Sequence, residues 1–276
     1  MASHPPPLSA PSEASRPVEG VHSASTLPTW VLLRGLTRAS AHWSGFVEEF
    51  EAALPARVLA LDLPGNGSLW QQRSPTSVAD MVAHCRAQLL QQGITQPVCV
   101  LAMSLGGMVA AEWAARYPGE VGELVLINTS MRPFSPFWQR LRPSALARLL
   151  MLVVRHADAS AWERELLQLT AQHPRHDVLA SWCDERLQRT VSAANALRQL
   201  LAAARYKASL QAPAVPTVVL SGAGDQLVSP ECSRALAHAW QVPLQVHPSA
   251  GHDLTLDAGQ WVLQQVARHT ALAPRA

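Results

Sequence analysis

The sequence predicts an α/β fold, a mostly parallel sheet of about six to eight strands covered by helices on both faces and carrying an inserted helical cap. Three observations predict it. Short apolar, β-branched runs alternate with single stretches of helical character, which implies parallel pairing through right-handed crossovers. The runs are apolar throughout, as in strands buried on both faces. From about 131 to 211 the alternation stops and the pattern is almost wholly helical.

The elements follow in order. Residues 1–28 are rich in proline, serine and alanine, with no basic region before an apolar core; they read as a disordered lead, not a secretory signal. Order begins with the strand run Trp30-Val31-Leu32-Leu33-Arg34, which stops at Gly35 and is followed by a helix over 42–54. A second run over 57–63 closes in Pro64-Gly65-Asn66-Gly67, a tight turn without the third glycine of a phosphate loop. A helix over 77–92 is capped by Thr76 or Ser77. Next come the run Val98-Cys99-Val100-Leu101-Ala102-Met103, a helix ended by Tyr117-Pro118-Gly119, and a strand over 123–127. In the insertion, 161–171 and 191–206 are the clearest helices. Strands resume over 215–220 and 244–247, separated by a helix over 230–240. A last helix over 258–270 is expected to start from Asp257 as cap, with Gln260 completing a capping box. The organisation is therefore a lead over 1–28, a first core part over 29–130, a cap over 131–211 and a second core part over 212–276.

Composition narrows the function. The chain has 276 residues, 48% of them hydrophobic and 15% charged, which suits a well-buried globular protein. A net charge of +2 gives nucleic acid no electrostatic foothold over the chain as a whole. No apolar run approaches the roughly 20 residues that span a bilayer. Cys85, Cys99, Cys183 and Cys232 are scattered without metal-like spacing, so reduced thiols and a cytoplasmic location are expected, with no metal or cofactor.

Chemistry concentrates at three places. Ser104 follows an apolar strand, precedes a helix and is flanked by small residues at Ala102 and Gly106, the pattern of a sharp strand-to-helix turn that exposes a nucleophile. The first glycine of the usual GxSxG is Ala102 here. The helix would aim its positive end at Ser104 and leave the Leu105 amide free for an oxyanion. The plainer role of such a serine is a helix cap. Ser221-Gly222-Ala223-Gly224-Asp225 places a carboxylate after a later strand, and Ser249-Ala250-Gly251-His252 places an imidazole after the last. Active sites in open parallel sheets gather at this edge. A serine hydroxyl needs a neutral imidazole to take its proton, and the imidazole needs an acceptor on its other nitrogen.

With these motifs in hand, AMSLGG at 102–107, SGAGD ending at Asp225 and AGHD containing His252, the chain resembles the α/β-hydrolase superfamily with one helical cap over about residues 29–270. The resemblance implies a serine esterase with Ser104, Asp225 and His252 as triad and the amides of Leu36 and Leu105 as oxyanion hole. It also implies a loop reading His-Gly where this chain has Arg34-Gly35, and a first hairpin that is missing or degenerate here. The substrate implied is a small carboxylic ester or thioester. Carbon–carbon bond hydrolysis, acyl transfer and a non-catalytic binding role on the same scaffold remain alternatives.

Other residues have plainer readings. Arg34 is expected to pair with a carboxylate such as Asp62, the alternative being that it receives an anionic part of a substrate. Asp253 and Asp257 are set aside as triad acids, because a residue adjacent to histidine points elsewhere and Asp257 caps a helix. The loop after the strand over 123–127 holds Asn128-Thr129-Ser130, with no carboxylate. Of the nine tryptophans, Trp43 and Trp113 read as core, whereas Phe137 and Trp138 are candidates to line a pocket. Arg132, Arg140, Arg142, Arg148 and Arg155 form a basic run without an acidic residue. It reads as a solvated face, with weak contact to an acidic carrier or a membrane surface as the alternatives. With the Ser-Leu-Gly-Gly of the turn, this basic cap is similar to pimeloyl-carrier methyl-ester esterases, a narrower resemblance that makes their substrate class a minor hypothesis.

Overall fold

The computed structural model describes Met1, residues 27–173 and residues 175–272, so nearly all of the expected disordered lead lies outside the described residues. Six strands form one sheet: β1 (Thr29–Leu33), β2 (Arg57–Leu61), β3 (Val98–Met103), β4 (Val121–Ile127), β5 (Thr217–Gly222) and β6 (Leu244–His247). Their order is β2-β1-β3-β4-β5-β6, and every neighbouring pair is parallel. Six is the lower end of the expected range, as a missing first hairpin implies.

Alternation along the strands builds two cores, because successive side chains point to opposite faces. Val31, Leu33, Val100, Leu124, Leu126 and Val219 join one cluster with Met81, Val109 and Leu236. Those partners come from α2 (Val78–Gln91), α3 (Leu105–Arg116) and α9 (Glu231–Trp240). Leu32, Leu101, Met103, Val125 and Leu220 face the other way, against Phe46 and Phe50 of α1 (Phe46–Ala53) and Val262 and Val266 of α10 (Leu254–Leu272). Trp43 and Trp113 are buried. Ser77 caps α2, accepting from the Asp80 amide at 3.1 Å.

Between β4 and β5 lie α4 (Phe137–Arg140), α5 (Pro143–Val154), α6 (Ala159–Thr170), α7 (His176–Gln188) and α8 (Ala193–Arg205). An isolated parallel bridge between Arg132 and Lys207 closes the two ends of this insertion. No helix among the described residues is long and apolar enough to cross a membrane.

Two expectations are corrected. The helix expected over 42–54 breaks after a 3-10 turn at Ser40–Trp43, because Ser44 and Gly45 take φ of 49° and 87° before α1 begins. The last helix starts earlier, at Leu254, and is kinked at Ala258. Asp257 does not cap it: its carboxylate accepts from the amides of Gly251 at 2.7 Å, Gln172 at 2.9 Å and His173 at 3.0 Å. Gln260 instead donates to Glu49. The distant amides of the insertion compete for the carboxylate, which local spacing does not reveal.

Leu101 lies on the central strand and is fully buried. Leu101→Ala is expected to destabilise the fold by about 2–5 kcal/mol, read as a lowered urea midpoint with an unchanged m-value.

Candidate active site

Ser104 is the single residue between β3 and α3, and its backbone is held at φ 54°, ψ −118°. A non-glycine residue reaches positive φ only when its surroundings enforce it. Here the Ser104 amide donates to the Ile127 carbonyl at 3.0 Å, and its own carbonyl accepts from the Thr129 hydroxyl at 2.8 Å. The neighbouring glycines are required for close approach. A Cβ on Gly106 would sit 2.6 Å from the Leu33 carbonyl oxygen and 2.7 Å from that of Arg34, both rigid backbone. One on Gly107 would meet Thr129 at 2.8 Å. The residues that follow the turn are thus small because α3 crosses directly over the end of β1.

Asp225 and His252 come together, as their placement after β5 and β6 anticipates. Nδ1 of His252 lies 2.7 Å from Oδ2 of Asp225. The other carboxylate oxygen accepts from the amides of Leu227 at 2.8 Å and Val228 at 2.9 Å. Both residues are buried. Opposite an ionised carboxylate, Nδ1 must carry the proton, which leaves Nε2 of the neutral ring as an acceptor; this tautomer is assigned from the network. Close backbone contact builds the corner: a Cβ on Gly222 would lie 2.3 Å from the Ala250 carbonyl oxygen.

Asn128 and Thr129, at the end of β4, join the two halves. The Asn128 side chain donates to the carbonyls of Gly251 at 3.0 Å and His252 at 2.8 Å and accepts from the Gly222 amide at 3.0 Å. Thr129 meanwhile holds the carbonyl of Ser104. Ser104 therefore occupies the same sheet edge as the Asp225–His252 pair. Its hydroxyl makes no hydrogen bond to the His252 ring. Such contacts are often long in unliganded sites and tighten around substrate.

Gly35 packs against Ser104, for a Cβ there would lie 3.0 Å from that of the serine. Among the described residues, neither the Leu36 amide nor the Leu105 amide donates to a protein acceptor. Leu105 heads α3, whose first amides have no intrahelical partner. The next amide along the β1 loop, that of Thr37, donates to Oε1 of Gln199 on α8 at 2.8 Å. Gln199 is fully buried and reaches Asn66 and Ser74 as well.

Arg34 does not pair with Asp62. It is buried and makes a bidentate contact with Asp253, Nη1 to Oδ1 at 3.1 Å and Nη2 to Oδ2 at 2.6 Å, and its guanidinium carbon lies 4.8 Å from the Trp43 ring centroid. Asp62 is occupied by the Ser40 amide and by the amide and hydroxyl of Ser68. Asp62, after the adjoining strand, is the neighbouring carboxylate the sequence offers, but the sheet edge brings the loops after β1 and β6 together. Burial pushes the Asp253 carboxyl up, yet the charge and hydrogen bonds of Arg34, with the nearby charge of Arg38, hold it below the usual carboxylate range. Glu163 of α6 is gripped by Arg38 at 2.6 Å and Arg186 at 2.6 Å. Burial raises its carboxyl, and the two arginines together lower it below its ordinary value. His42, buried in the same neighbourhood, has its pKa pushed well below normal by burial and by Arg38 and Arg34. A neutral imidazole adds no further positive charge there.

Phe137 and Trp138 stand on α4 with 77% and 53% of their surface exposed, packed edge to face. Asn128, Asp253, Gln199 and Asp257 were not read as site residues. The only available signal was polar side chains directly after strands or beside His252, and polarity alone does not identify a partner.

A model of the alpha/beta hydrolase family matches residues 30–265. A pimeloyl-[acyl-carrier protein] methyl ester esterase of Chromobacterium violaceum is 32% identical over 220 residues, 76% of this chain and 82% of that protein. A 2-hydroxy-6-oxononadienedioate/2-hydroxy-6-oxononatrienedioate hydrolase of Pseudomonas putida is 28% identical over 247 residues, 81% of each. Among solved structures, the enol-lactonase from Burkholderia xenovorans superposes with a TM-score of 0.72 at 19% identity, over 89% of this chain and 92% of that one.

Asp253→Asn leaves the Arg34 guanidinium buried without its counter-charge and should cost about 3–5 kcal/mol at neutral pH. Because the folded-state pKa of Asp253 is lowered, the pair contributes stability above the ordinary value of 3.8, and that contribution is lost as pH falls below it. Urea unfolding followed across pH should show this acid-side fall in the parent and a flatter curve in the variant; equal curves and equal neutral midpoints would contradict the assignment.

Proposed function

Because this chain belongs to the alpha/beta hydrolase family, we propose that it is a serine hydrolase that cleaves a carboxylic ester, or a thioester, through an acyl-Ser104 intermediate. The observation that carries the reading is the 2.7 Å contact between His252 and Asp225 at the edge of the sheet where Ser104 sits at a strained turn. The Ser104 oxygen bonds to the carbonyl carbon as its proton passes to Nε2 of His252, and the carbonyl electron pair moves onto oxygen. The amides of Leu36 and Leu105 hold that oxyanion, one such donor contributing roughly 2.7–4 kcal/mol. As the ester bond breaks, His252 returns the proton to the departing alcohol or thiol. Water then attacks the acyl-serine by the same route, with its proton going to His252 and on to Ser104. Asp225 keeps the ring in the required tautomer and stabilises it while it is charged.

Arg34 acts as a positioning residue in this reading. Its backbone leads into Gly35 and Leu36, and its side chain is fixed to the residue after His252, so one pair sets the spacing between the oxyanion amide and the base. It holds Asp253 rather than an anionic substrate group. The insertion over 131–211 serves as a cap that excludes water and shapes an apolar acyl pocket. Four unpaired thiols fit a cytoplasmic location.

A fluorophosphonate probe should label the protein on Ser104, and short p-nitrophenyl esters should be turned over; Ser104→Ala should abolish both. Asp225→Asn should lower kcat by roughly 10^4-fold while the protein stays folded by circular dichroism. An unlabelled serine with no turnover in the folded parent would overturn the hydrolase in favour of a binding protein.

A further inference from the structure

Helix α5, PSALARLLMLVV, is apolar apart from Ser144 and Arg148, the latter paired with Glu165 of α6, and yet only Ala145 of its residues is fully buried. In a soluble protein a helix this rich in aliphatic side chains normally turns its apolar stripe toward the core. Here Leu146, Leu150, Val153 and Val154 recur at the i, i+4, i+7, i+8 spacing of one helical face, and that face points outward: Leu150 is 55% and Val154 72% exposed. Met151 extends the stripe, and the exposed Trp138 and Phe137 of α4 lie just before it in the chain. The segment 132–157 holds five arginines and no acidic residue before Asp158; Arg148 pairs with Glu165, and Arg140 and Arg142 donate to the carbonyls of Ala203 and Asp225. Arg132 and Arg155 are exposed and pair with no carboxylate among the described residues. The helix is anchored beside the candidate site: the Arg142 amide donates to the Leu227 carbonyl at 2.9 Å, and its guanidinium to the Asp225 carbonyl at 2.7 Å.

We propose that the outward face of α5, with Trp138 and the exposed Arg132 and Arg155, is a docking surface for an anionic lipid membrane. Aliphatic side chains at helical spacing, an exposed tryptophan and basic flanks are what an interfacial helix requires: the apolar face enters the acyl boundary while Arg132 and Arg155 meet lipid phosphates. A second copy of the chain is a poor occupant. A two-fold contact sets the same patch against itself, and the exposed Arg132 and Arg155 would find no carboxylate within the segment 132–157. The inference extends the proposed function by indicating lipophilic esters drawn from a membrane as substrates, and it rests on that reading only for what is hydrolysed. Adsorption is an independent property.

Binding is therefore measured with the Ser104→Ala protein, by co-sedimentation with vesicles of phosphatidylcholine alone and of phosphatidylcholine mixed with phosphatidylglycerol. The full chain should bind the phosphatidylglycerol vesicles, and added salt should weaken binding. The double substitution Leu150→Glu and Val154→Glu should reduce binding by roughly tenfold or more. In the otherwise unaltered enzyme, the same double substitution should leave hydrolysis of a soluble short-chain ester unchanged. Equal adsorption of parent and double variant, or none by the parent, would overturn the docking surface even if esterase activity is found. So would sedimentation equilibrium showing a dimer that the double variant abolishes, or saturable binding of an acidic carrier protein without any affinity for vesicles.

Discussion

The guanidinium of Arg34 reaches a carboxylate 219 residues away, and the architecture of the sheet edge follows from that contact. Arg34 ends the first strand run and Asp253 follows His252, so the pair spans the two loops that bracket Ser104. A buried ion pair holds when its geometry and hydrogen bonds offset desolvation. Two guanidinium–carboxylate hydrogen bonds, a third from the Thr255 hydroxyl and the face of Trp43 meet that condition. Asn128 fixes the His252 backbone from the adjoining strand, and Thr129 fixes Ser104. Most of the polar atoms surrounding the three candidate groups are committed to holding loops in place, as preorganised sites need.

Polar contacts also fasten the helical insertion to the sheet domain. Glu163 joins Arg38 of the β1 loop to Arg186 of α7, Gln199 receives the Thr37 amide, and Asp257 receives two amides from the segment after α6. The insertion has only a small apolar cluster of its own, Leu167, Ala171, Val178 and Trp182. Ala202, Ala203 and Tyr206 at the end of α8 join the main core, so directional hydrogen bonds orient an insertion that apolar contact also holds. Such an attachment specifies orientation strongly and leaves α5 free to turn its aliphatic side outward.

Much of this was legible beforehand. The six strands, their parallel pairing and the long helical interruption follow from apolar runs alternating with helical periodicity, and strand ends differ by only a few residues. Ser104, Asp225 and His252 were legible as a set because each follows a strand, and a parallel sheet sends all such loops to one edge. The partner of Arg34, the use of Asp257 and the roles of Asn128 and Gln199 were not. Each depends on a charged or polar group choosing among partners distant in sequence, and a strand pattern offers only the carboxylate of the adjoining strand, Asp62, for Arg34.

The sequence by itself determined the strand and helix content, the parallel order of connections and the chemical types gathered at the carboxyl edge, because backbone propensity and apolar periodicity act over a few residues. Only the tertiary structure decided which charges pair, where the last helix bends and which side of α5 meets solvent. Those outcomes depend on competition for desolvated partners, and that competition exists only once the loops have been brought into the same small volume.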